Sequence, residues 1–185
     1  MNTSRKLLLA GATALAATVV ASAAFAQASA TGTGDASVTV IQPLTVVDTH
    51  DLSFGRVTTS GTSGTVTVSE GGVRGTDGGV TPAAGTVSAG LFTFNGEPNQ
   101  AVTVTLVSGA LNLVGNASAS NTLTGTVASS VATTGGASKT LGAAGTGTGA
   151  TFGTLAVPIS GTLTIPVNAT SDTYHGSYQV TVAYN

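Results

Sequence analysis

Short runs of alternating apolar and polar residues, punctuated by Gly, Pro, Asn, Asp and Ser, constrain this chain more than any other feature. Ala36-Ser-Val-Thr-Val40, Ala101-Val-Thr-Val-Thr-Leu-Val107 and Ser177-Tyr-Gln-Val-Thr-Val-Ala-Tyr184 all repeat with period two. That is the period at which strand side chains alternate between the two faces of a sheet. Further strands are expected over 44–47, 52–57, 64–69, 87–94, 123–131 and 152–165. After the first thirty residues no helical 3.6 period persists. The residue types agree with the periodicity. Threonine occurs 34 times and glycine 26 times, while only 6% of residues are charged. Such a chain favours strands and offers little to a helix. Many short strands between turn signals predict an all-β fold, an immunoglobulin-like antiparallel β-sandwich.

The first 26 residues are set aside before fold reasoning. Arg5 and Lys6 precede an uncharged Ala/Leu/Val-rich run over Leu7–Ala24, which closes on Ala24-Phe25-Ala26. This is the pattern of a cleaved signal peptide. It predicts a secreted protein that crosses the periplasm to the cell surface or medium, with no integral membrane segment after cleavage. Residues 27–35 read as a flexible Gly/Thr/Ser lead, and 36–185 as one domain.

Removal of the leader leaves Arg56, Arg74 and Lys139 against seven acids, a net charge of 3 − 7 = −4. No basic surface remains to track phosphates, so nucleic acid is not an expected partner. The chain has no cysteine, which excludes a disulfide framework and a thiolate metal site. An outer-membrane barrel would need aromatic girdles. The mature chain offers only Phe54, Phe92, Phe94, Phe152, Tyr174, Tyr178 and Tyr184.

Catalytic constellations are not legible. His50 and His175 are the only histidines, and no G-x-S-x-G elbow is present. Asp48-Thr49-His50-Asp51 reads as a turn rather than a metal site, and His175 as a solvated turn residue. Gly145-Thr-Gly-Thr-Gly149 lacks the lysine and the following helix of a phosphate loop. The chain is expected to be no enzyme and to carry no cofactor or metal. Two connections stand out. Gly71–Gly85 reads as a long turn-rich loop, and Asn95-Gly-Glu-Pro-Asn99 as a hairpin turn. The low-complexity stretch Thr133–Ala150 reads either as a mobile loop or as a flat strand pair. Pro43 is expected to mark a bulge or a change of pairing partner.

The two ends carry the most specific signal. Tyr178, Val180, Val182 and Tyr184 share one face of the last strand, and Ala36, Val38 and Val40 form an alternating strip near the start. A free strip and a sheet edge can pair between chains by β-strand addition. Residues 36–41 are therefore a candidate donor strand, and the C-terminal strand a candidate acceptor.

Leu52-Ser-Phe-Gly55, Gly161-Thr-Leu-Thr-Ile-Pro166 and the ending Asp172–Asn185 resemble a family of small secreted bacterial β-proteins without assigned function. The same landmarks are similar to the spore coat protein U domain and to subunits of archaic chaperone–usher pili. The resemblance implies an incomplete sandwich completed by strand exchange, with a periplasmic chaperone and usher or further copies of the chain as partners. It implies a structural or adhesive surface protein, a fimbria-like subunit. Archaic pilins commonly carry a disulfide near the first strand, and this chain has none. The alternative is a self-complete secreted sandwich of surface- or carbohydrate-binding type, using Phe92, Phe94, Tyr174 and Tyr178.

Overall fold

A computed structural model describes residues 29–144 and 151–185. The leader predicted at 1–26 and the glycine run 145–149 lie outside the described residues. Contacts divide the chain into Met1–Val38 and Thr39–Asn185. In the first unit the described residues 29–38 are exposed and belong to no strand. The second holds eleven strands and, among the described residues, no helix.

The strands are β1 (Thr45–His50), β2 (Arg56–Val68), β3 (Arg74–Ala83), β4 (Gly90–Gly96), β5 (Ala101–Leu106), β6 (Ala110–Gly115), β7 (Thr122–Ala128), β8 (Ala137–Thr140), β9 (Gly153–Ile165), β10 (Tyr174–His175) and β11 (Val180–Tyr184). All ladders between them are antiparallel. Eight strands form one sheet, in the order β1-β4-β9-β7-β6-β10, with β2 joining β3 and β9. The second sheet is β11-β5-β8. Strand β9 is the spine: its first half pairs with β4, and its second half lies between β2 and β7. The fold is an all-β antiparallel sandwich.

One apolar cluster lies between the sheets. It joins Val102, Val104 and Leu106 of β5 with Val66, Phe94, Leu111, Leu123, Val157, Ile159 and Leu163 of the larger sheet. Strict alternation explains it. In β5 the even positions are buried and the odd threonines face outward, and β6 likewise buries Leu111 and Leu113. Val66, Val102, Val104, Val157 and Ile159 are wholly buried. The chain's own strands cover this core.

Several local expectations change. Ala36–Val40, predicted as a strand, is in no strand of the isolated chain, because alternation supplies a face and not a pairing partner. Gly71–Gly85 is mostly β3 and not a loop. Its glycines erase the side-chain signal, while Pro82 is tolerated because β3 pairs only with β2 and is an edge. Asn95–Asn99 does turn the chain, with Asn99 in the left-handed region at φ 60°. It is not a hairpin, however. Strand β4 already has β1 and β9 as neighbours, and β5 has β11 and β8, so the turn carries the chain from one sheet to the other. No bulge falls at Pro43, which precedes β1. The irregularity lies between Asp48 and His50, where Thr49 is the extra residue opposite Phe92 and Leu91. Within 133–144 one short strand, β8, is found, and it pairs with β5 and not with a second strand of the same stretch. His175 is exposed, in the short strand β10 and not in a turn.

Candidate functional site

The C-terminal segment is anchored by two tyrosines, Tyr178 just ahead of β11 and Tyr184 within it. Tyr178 and Tyr184 are half-buried and pack on the core with Val180 and Val182. Each reaches a glycine of β4: the Tyr178 hydroxyl occupies the space a Cβ would take at Gly90, and the Tyr184 hydroxyl does so at Gly96. Any larger residue at either position would displace a ring. Tyr178 also meets Phe92 edge to face, with centroids 5.8 Å apart. Burial, helped by the negative charge of Asp48 and Asp51, pushes its phenol up to about 12.

Tyr184 does more than pack. Its hydroxyl donates to the Gln42 carbonyl at 2.8 Å and accepts from the Glu97 N–H at 2.7 Å. The Gln42 N–H donates to Glu97 Oε2 at 3.1 Å, which closes a three-membered ring of hydrogen bonds. Gln42 is thereby fixed where the chain enters the sandwich. Upstream of it, Ile41 is 43% exposed, Val40 87% and Val38 86%, and Ala36 is exposed as well.

The edge of β11 has a definite chemistry. Gln179 C=O accepts from Val107 N–H at 2.9 Å, and Asn185 N–H donates to Ala101 C=O at 3.2 Å. The odd-numbered residues therefore bond to β5. In an antiparallel ladder the alternate residues direct their N–H and C=O groups the other way. Val180 and Val182 thus present main-chain donors and acceptors to the open edge while their side chains face the core. Strand β1 is a second edge, at the end of the larger sheet, with Val46 and Val47 more than half exposed.

Other candidates do not come together as catalytic or ligand sites. His50, Glu70 and Ser88 line one shallow hollow of about 300 Å³. Ser88 Oγ, however, donates to the Asp51 carbonyl at 2.6 Å, and Glu70 accepts from Ser130 Oγ at 2.7 Å. No nucleophile–base–acid relay is set up there. Among the described residues no three His, Cys, Asp or Glu side chains gather as metal ligands. Phe94 is buried, and Phe92, Tyr174 and Tyr178 pack against the core, so these aromatics form no open platform.

Among the described residues the geometry defines a class: an antiparallel β-sandwich with sheet edges at β1 and β11, a C-terminal segment held by two tyrosines, and an exposed apolar strip outside any strand. Residues 44–184 match the model of DUF4402, a domain of unknown function, and the chain belongs to that family. The match begins at the first residue that packs on the core and ends on Tyr184. No curated protein and no solved structure matches the chain.

Proposed function

We propose that this protein is a secreted structural or adhesive subunit of the bacterial cell surface, assembling into fimbria-like polymers by β-strand addition. The observation that carries the reading is the exposed alternating strip Ala36, Val38 and Val40 together with a β11 edge that, among the described residues, leaves main-chain groups unpaired. The strip of one copy adds to the β11 edge of the next. Ladder hydrogen bonds supply affinity and the alternate side chains supply register. A periplasmic chaperone occupies the same edge during export. The protein is not an enzyme, and neither nucleic acid nor a cofactor enters this role. The likeness of Leu52–Gly55, Gly161–Pro166 and Asp172–Asn185 to spore coat protein U and archaic pilin subunits supports it.

The covered core refines the picture. With Val102, Val104, Val157 and Ile159 wholly buried, the incoming strand extends a sheet and fills no gap in the apolar interior. The same observation favours a second reading, a self-complete sandwich that works as a surface-binding monomer. Deletion of Gln27–Ile41 separates the two. Exported protein that no longer forms fibres by electron microscopy is the expected result. Normal polymers from the deleted chain would sink the proposal.

A further inference from the structure

Among the described residues, Gln42 is the first that the sandwich fixes by hydrogen bonds. Both of its main-chain groups are taken: the carbonyl accepts from the Tyr184 hydroxyl at 2.8 Å, and the N–H donates to Glu97 Oε2 at 3.1 Å. Pro43 follows, with its φ set by the ring and no N–H to hold. Leu44 packs against the core, and the β1 ladder begins one residue later, where Thr45 faces Asn95. The chain is thus pinned ahead of its first strand.

The partners of Gln42 lie on two other parts of the molecule. Glu97 is in the turn that crosses from the larger sheet to the smaller, and Tyr184 is in β11. Strands β1 and β11 are edges of different sheets, so among the described residues no ladder joins them. Between them stand the apolar packing of the core and the Tyr184 bridge. Apolar packing is non-directional and gives way to sliding. A hydrogen bond weakens steeply with a small change of distance or angle, and so resists displacement. Gln42, Glu97 and Tyr184 are all half-buried, and the absent side chain of Gly96 leaves the Tyr184 hydroxyl its room.

Strand addition pulls a subunit at two points: at its strip, which one neighbour holds, and at its β11 edge, which holds the strip of another. We propose that the ring of Gln42, Tyr184 and Glu97 is a force clamp that carries this load from the entry segment directly into β11. The inference rests on the strand-addition reading, which is what places load on these two points. With the ring closed, tension bypasses β1. With the ring open, it falls on the Thr45 end of β1, an edge strand paired only with β4 and irregular between Asp48 and His50. The bonds of that ladder then break in turn. Peeling Gln42–His50 frees about 30 Å of chain at roughly 3.3 Å per residue.

The test pulls the purified mature chain in an optical trap between thiols introduced by Val40→Cys and Thr181→Cys. Both positions are exposed, and the sequence contains no other cysteine. Tyr184→Phe should shorten the lifetime at constant load about tenfold, the factor of two neutral hydrogen bonds. It should also add a step of about 30 Å before the main rupture. Glu97→Ala removes one bond of the ring and should shorten the lifetime about threefold. Val127→Ala, a buried change on β7, lowers stability away from the ring and should rupture without the short step. Fibres of Tyr184→Phe should assemble, then break at lower shear than parent fibres. A Tyr184→Phe lifetime equal to the parent's, or the same short step in Val127→Ala, would overturn the clamp and leave strand addition standing. Parent chains that form no fibres would overturn strand addition itself, and with it the load the clamp carries.

Discussion

Tyr184 joins parts of the chain that sequence separation keeps far apart. Its hydroxyl satisfies the Gln42 carbonyl and the Glu97 N–H together. Removing it leaves both without that partner, at about 1–3 kcal/mol for a buried group. Tyr184→Phe is expected to lower the denaturant midpoint without changing the slope, and to make Gln42 and Glu97 amides exchange faster with deuterium. Tyr178 sets the alkaline limit. Its pKa is raised from 10.0 to about 12, so its contribution is whole below pH 10 and is lost as pH rises towards 12. Thermal scans across pH 9–12 should show the parent falling more steeply than Tyr178→Phe. At the acid end burial acts to raise Asp172. The Asn121 side chain and the Thr173, Ala117 and Asn116 amides outweigh it and hold the carboxyl below its usual range. Its contribution is present above about pH 4 and is lost as pH falls through the lowered value. That Tyr184 matters was legible in the sequence, from its place on the apolar face of a terminal strand. Its polar partners were not, because nothing local links residues 42, 97 and 184.

Strand β11 tests the edge argument directly, because its two backbone faces have different duties. The Val182 N–H points to the open edge, and proline is tolerated where a donor is unused. The Ala183 N–H points to β5, its neighbour at Thr103. Val182→Pro should therefore fold and be secreted, with its cost confined to repacking, yet fail to assemble. Ala183→Pro should destabilise the isolated domain by at least a lost ladder bond, about 1–3 kcal/mol. Comparing unfolding midpoints with fibre yield for the two variants separates edge from core duty. Equal destabilisation by both would refute the assigned register. Among the elements, β5 and β11 were visible from alternation alone. Strand β3 was hidden by Gly75, Gly78, Gly79 and Pro82, whose pairing uses backbone and leaves no side-chain pattern.

At the scale of the molecule, the packed core and the N-terminal strip of the proposed strand addition lie in different stretches. Among the described residues none before Leu44 is more than half-buried, Gln42 included, and the core cluster draws on residues from 44 onwards. Removing Gln27–Ile41 should leave the calorimetric midpoint of the subunit unchanged, while Phe94→Ala should cost about 3–5 kcal/mol. A large loss of stability on removing the strip would mean that it completes the subunit's own sheet.

Period-two alternation, the turn residues and the scarcity of charge were enough to determine an antiparallel β-protein, because side-chain periodicity is a local property of the backbone. They also marked Ala36–Val40 and Tyr178–Tyr184 as apolar strips. Which strand meets which is a long-range matter, and only the tertiary structure decided it. It sent the turn at Asn95–Asn99 between sheets, placed Ala36–Val40 in no strand, and put β11 at the end of its sheet among the described residues. Pairing is chosen by the shared burial of both sheets' inner faces, which no single segment encodes.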